Sequence, residues 1–183
     1  MSNKALLMGS APRVKEDLEI VKISEYSLVC GINQVFVREV RSLYDRFGVK
    51  LNCYFTSDWF LNSNAGDIEA LSVQAKIIIT PKHLARPDLS GLMGARHCPS
   101  DVVSYVDDIG AFPSSRWATC GLYALCYLLH YTRVDFVDLA GFSFGEGKYH
   151  LYDNCSQDWP HETAFEKKIY KHFYSMGLCS LVE

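Results

Sequence analysis

Three consecutive isoleucines, Ile77 to Ile79, lie in an apolar run over residues 75–80 that Pro81 halts. So short a run of β-branched side chains fits a strand buried on both faces better than a helix. Similar runs recur. Lys4-Ala-Leu-Leu-Met8 ends at Gly9-Ser10-Ala11-Pro12, and residues 27–30 end at Gly31-Ile32-Asn33. Residues 52–55 run into Thr56-Ser57-Asp58, and residues 134–140 lead into Gly141. Residues 101–106 read as a further strand. Between these runs the apolar spacing becomes helical, as in Phe36, Val40, Leu43 and Phe47 before Gly48, in residues 120–131, and in residues 162–176 with Phe165, Ile169 and Phe173 inward. Alternating strands and helices imply an α/β fold: a Rossmann-like, mostly parallel sheet with helices on both faces.

At 183 residues the chain has the length of one domain, 1–183, with a small lid formed by loops near 81–100 and 143–160. A 49% hydrophobic composition is ample for a core. A net charge of -3 argues against nucleic acid as a partner, which would call for a basic stripe. The seven cysteines form no paired framework, and no signal peptide precedes the first strand. Free thiols in a reducing cytoplasm are therefore expected. Residues 122–129 are the longest apolar stretch, too short for a transmembrane segment.

In such a sheet, ligands bind where the carboxyl ends of the strands meet the helices. Gly9 and Ser10 follow the first strand, in a turn that lets backbone approach a ligand or simply joins strand to helix. The turn is neither a dinucleotide fingerprint nor a P-loop. Asn33 offers an amide to a ribose or phosphate, and equally suits an N-cap of the next helix. Thr119-Cys120-Gly121 opens an apolar helix, whose free N–H groups and partial positive charge suit a phosphate or carboxylate; Thr119 is also an ordinary cap. Arg116, just upstream, either adds charge or stays solvated.

Tyr149, His150, Tyr152 and Asp153 crowd one loop, where they either recognise a polar ligand or pack as a lid. His161 precedes the last helix, whose N-terminus disfavours an imidazolium and so favours a neutral base. Glu166 behind it orients that histidine or caps the helix. No Asp-x-Asp occurs in the chain. Transfer from a nucleoside diphosphate commonly places a carboxylate-bound metal on the departing pyrophosphate. A departing monophosphate can be handled by hydroxyls, an imidazole and a helix terminus. No metal and no cofactor are expected on this ground.

In order and spacing these segments resemble the motifs of the sialyltransferases, in a GT-A-like variant of the fold. The resemblance runs from Ala5 to Phe173. Residues 5–33 are similar to the long sialyl motif, and residues 119–144 to the short one. Residues 149–154 resemble the third motif, and His161 with Glu166 matches the final His-x4-Glu. The resemblance implies an inverting, metal-independent glycosyltransferase that moves sialic acid, or a related 2-keto sugar acid such as Kdo, from a CMP-linked donor to a glycan acceptor. A surface polysaccharide or lipooligosaccharide is the expected acceptor class, and the expected location is cytoplasmic or peripheral to the membrane.

By the same resemblance His161 is the base and His150 assists the departing phosphate, helped by Tyr149 or Tyr152. Gly9, Ser10, Asn33, Thr119, Cys120 and Gly121 hold the nucleotide and donor carboxylate, with Arg116 and Glu166 in support. Two departures stand out. Ser10 replaces the usual asparagine, and Leu6 and Leu7 stand where the Golgi enzymes' linking disulfide has its first cysteine. Two other classes compete: a cysteine hydrolase using Cys120 and His161, and a non-catalytic nucleotide or sugar binder on the same fold.

Overall fold

A computed structural model describes residues 3–35, 37–82, 84–110, 118–143 and 163–182. Among the described residues seven strands form one sheet: β1 (Lys4–Met8), β2 (Leu28–Ile32), β3 (Cys53–Ser57), β4 (Ala75–Ile79), β5 (Ala95–His97), β6 (Phe136–Ala140) and β7 (Cys179–Leu181). Their spatial order is β5-β4-β3-β2-β1-β6-β7. Every pairing in the sheet is parallel.

A parallel strand buries alternate side chains on opposite faces. Leu6 and Met8 therefore join one apolar cluster while Ala5 and Leu7 join the other. The first face is covered by α1 (Val14–Ile20), α2 (Arg38–Arg46) and α3 (Asp58–Glu69), which bury Val14, Leu18, Val40, Leu43, Leu61 and Ile68 against it. The second is covered by α4 (Ser100–Gly110), α5 (Cys120–Tyr131) and α6 (Thr163–Ser175). Cys120 through Leu128 are all buried in α5, as expected of a helix apolar around its circumference. Each fully buried isoleucine of β4 stabilises the sheet by about 1.5–3 kcal/mol.

The expected α/β architecture is the one observed, with corrections in detail. Residues 101–106 are helical, within α4. Val102, Val103 and Val106 share one helix face and are all buried there, and the Val103 N–H already donates to the Pro99 carbonyl. Their β-branched side chains read equally well as a strand. Residues 81–100 are not loop throughout: Lys76 to Ile78 of β4 pair with Ala95 to His97 as the edge strand β5. Strand β7 and helix α3 were not expected, whereas α1 follows the Gly9 turn as a strand-to-helix join. Helix α3 is held at its start by the Ser57 hydroxyl, which accepts from the Phe60 N–H at 3.3 Å.

Candidate functional site

The strand order places the switch point of the sheet between β1 and β6, since β2 to β5 lie on one side of β1 and β6 and β7 on the other. Crevices in doubly wound sheets open at such a point, at the carboxyl ends. Here two glycine turns abut. The Gly9 N–H donates to the Ala140 carbonyl at 2.8 Å, and the Ala11 N–H to the Gly141 carbonyl at 3.0 Å. A Cβ on Gly9 would stand 2.5 Å from the Gly141 oxygen. Gly141 has φ +71°, and a Cβ there would stand 2.8 Å from the Gly9 oxygen. Both positions are thus confined to glycine by backbone approach, and Gly141 by its left-handed conformation as well.

One strand over, the Ser10 hydroxyl donates to Gln34 Oε1 at 3.2 Å. Both side chains are buried, so the ends of β1 and β2 meet. Gln34 was not among the expected residues, although it adjoins Asn33 in the same strand-end turn. Asn33 does not cap α2, which starts five residues later after Val37. It is the one non-glycine residue with positive φ among the described residues, at 47°, a region that asparagine tolerates. Its carbonyl accepts from the Tyr54 hydroxyl at 2.5 Å, and its Oδ1 accepts from the Ser57 N–H at 3.2 Å. This pairing assigns Oδ1 toward β3 and turns the Nδ2 donors the other way.

The start of α5 is built differently. Thr119 occupies the N-cap position, but its hydroxyl makes no capping bond within the helix. The Thr119 N–H donates to Glu166 Oε1, and the Thr119 hydroxyl donates to Glu166 Oε2 at 2.9 Å. Glu166 sits on the first turn of α6 and is 4% exposed. Burial pushes its carboxyl up to about 7, against the two Thr119 bonds, which pull it down. The protein's own carboxylate thus meets the α5 N-terminus, where a ligand anion was expected.

Gly121 and Cys120 complete that closure. A Cβ on Gly121 would stand 2.7 Å from the Phe142 ring and 3.2 Å from the Tyr170 hydroxyl, so its missing side chain makes room for packing. The Phe142 and Tyr170 rings meet edge to face at 5.9 Å. The Cys120 thiol is buried, and burial lifts it well above the usual thiol range, with the Cys98 and Asp58 charges adding to the shift. A helix N-terminus lowers a thiol pKa, but here desolvation outweighs it. The thiolate that a cysteine hydrolase requires is therefore disfavoured.

The six cysteines among the described residues are all free and buried. No three His, Cys, Asp or Glu side chains cluster there as metal ligands would. No described helix is long and apolar enough to cross a membrane. Arg116, Tyr149, His150, Tyr152, Asp153 and His161 lie outside the described residues.

The crystal structure of a mammalian sialyltransferase is similar to this chain at 17% identity and a TM-score of 0.65, covering 98% of this chain and 68% of that one. A mammalian sialyltransferase in complex with Gal-beta-1-3GalNAc-ortho-nitrophenol matches at 17% identity and a TM-score of 0.60, over 98% of this chain and 69% of its own. No family model matches the sequence, and no curated protein does. With its seven parallel strands and a helical layer on each face, the chain carries the sialyltransferase-like fold.

Proposed function

We propose that this chain is an inverting glycosyltransferase that moves sialic acid, or a related 2-keto sugar acid such as Kdo, from a CMP-linked donor to a glycan acceptor. The observation that carries this reading is the likeness to sialyltransferase structures over 98% of the chain. The nucleotide lies across the switch-point crevice. The touching turns of Gly9 and Gly141 form its floor, and Ser10 with Gln34 forms one wall. The Asn33 Nδ2, directed away from β3, donates to a ribose or phosphate oxygen.

Chemistry at the anomeric carbon is an in-line displacement. His161 takes the proton from the acceptor hydroxyl as that oxygen forms its bond to carbon. The bond from carbon to the phosphate oxygen breaks, and CMP leaves with the electron pair. His150, with Tyr149 or Tyr152, donates to the charge developing on the phosphate, and Arg116 adds to the positive field. No metal is required, because the departing group is a monophosphate. His161 precedes Thr163, the first residue of α6, by two positions. Glu166 ties that helix to Thr119, so Glu166 and Thr119 serve as a framework for the base.

The test is release of CMP from CMP-sialic acid in EDTA, with a Galβ1-3GalNAc glycoside among the acceptors offered. Sialylated product and stoichiometric CMP support the reading. Binding of CMP without turnover on any acceptor would instead make the chain a non-catalytic binder on this fold.

A further inference from the structure

An ion pair behind the Gly141 turn, its carboxylate buried and its guanidinium 39% exposed, has no part in the proposed chemistry. Asp17, on α1, directs Oδ2 to the Gly141 N–H at 2.7 Å. Its side chain is 4% exposed. Arg13, at the start of the same helix, donates from Nε to both carboxylate oxygens at 3.2 and 3.1 Å, and from Nη2 to Oδ1 at 3.0 Å. The Arg13 Nη2 also reaches the Val182 carbonyl at 2.8 Å, just past β7. One pair therefore joins α1, the end of β6 and the end of β7, directly behind the touching turns at Gly9 and Gly141.

Two consequences follow from charge. The Gly141 N–H is held by a carboxylate, so its turn is fixed by a charge-assisted bond. That carboxylate, left alone, would also set a negative charge under a crevice meant for a phosphate, where low dielectric magnifies repulsion. Arg13 cancels it. We infer that Arg13 and Asp17 are positioning residues for the donor nucleotide: Asp17 fixes the Gly141 floor of the crevice, and Arg13 neutralises Asp17 so that a phosphate can settle above it. This rests on the proposed nucleotide site.

A purely structural pair and a charge-neutralising pair differ in sign. If the pair only holds the fold together, Arg13→Gln and Asp17→Asn both weaken ligand binding, and the double variant is no better. If Arg13 works by neutralising Asp17, Arg13→Gln weakens CMP binding about tenfold, while Asp17→Asn tightens it about threefold because the arginine is then uncompensated. The double variant returns toward wild type.

The experiment is calorimetry with CMP on the four proteins at low and high salt, with Gly141 amide exchange followed by NMR. The expected result is the opposed signs, shrinking at high salt, with Gly141 exchanging faster in Asp17→Ala. Wild type that binds CMP while Arg13→Gln binds equally well overturns this role alone, as do two losses that the double variant fails to rescue. Gly141 exchange unchanged in Asp17→Ala removes the clamp whatever the CMP result. Wild type that binds no CMP defeats the transferase reading, and the role with it.

Discussion

The ends of β1 and β2 and the start of α5 look alike in sequence: small residues and hydroxyls where a strand or loop meets a helix. In the folded chain they are opposites. At Gly9, Ser10 and Asn33 two strand ends are brought together: the Gly9 turn touches that of Gly141, Ser10 is tied to Gln34, and Asn33 is anchored to β3 through Oδ1. At the start of α5 both Thr119 donors are spent on Glu166, the Cys120 thiol is buried, and the space beside Gly121 is filled by Phe142. A helix N-terminus attracts an anion, but the nearest anion can be a side chain of the same protein. The bonded partner is 47 residues away in the chain, so only the tertiary fold distinguishes the two regions.

The largest expected effect falls on neither region but on the proposed base, His161. His161→Ala should lower the transfer rate about 10²- to 10⁴-fold, the usual share of general acid–base catalysis, with CMP affinity nearly unchanged. Steady-state kinetics beside calorimetry checks both halves. A variant that loses nucleotide affinity in step with rate would move His161 from chemistry to binding.

Next comes the crevice. Gly141→Ala combines a left-handed conformation with a Cβ 2.8 Å from the Gly9 oxygen and from the Val14 Cβ. It should cost about 2–5 kcal/mol of stability, the joint effect of backbone strain and overpacking. Thermal unfolding measures this, and a loss below about 0.5 kcal/mol, typical of neutral surface changes, would mean the two turns do not touch as described.

The closed region makes a pH prediction. Glu166 has its carboxyl raised from the ordinary 4.5 to about 7. A group raised on folding contributes stability that is fully present below the unfolded value and is lost as pH rises through the folded value. Between pH 4.5 and about 7 the wild type should therefore lose on the order of 3 kcal/mol from this group. Glu166→Gln should flatten that window, gaining most above pH 7, in melting curves run side by side. Equal slopes for the two proteins would show that Glu166 ionises freely in the fold.

The smallest effect is expected at Cys120. Cys120→Ser should leave transfer within about twofold, and iodoacetamide should modify wild type slowly at neutral pH, as befits a raised thiol. Rapid alkylation with loss of activity would reopen the hydrolase reading.

Much of the fold was legible because strand and helix periodicities differ. The isoleucine run of β4, the Phe36-to-Phe47 spacing and the wholly apolar α5 each announced their element. The pattern at Val102, Val103 and Val106 did not, since β-branched residues on one helix face mimic a strand. Strands β5 and β7 are three residues long and sit at the sheet edges, too brief for any period to register. Within the candidate site, the strand ends at Gly9, Ser10 and Asn33 were readable as such. The use of Thr119 by Glu166 and of the Gly121 space by Phe142 depends on contacts between distant segments, which no local pattern encodes. Gln34 was within reach, being next to Asn33, but a lone glutamine carries no chemical signature of its own.

Nucleotide binding by wild-type protein tests the central claim most directly. Calorimetry with CMP, UMP, AMP and NAD, each in EDTA and again with magnesium, separates the possibilities in one series. A cytidine monophosphate site predicts CMP binding that is stronger than that of the other three and unchanged by EDTA. Binding that vanishes in EDTA, or equal affinity for all four nucleotides, would contradict it.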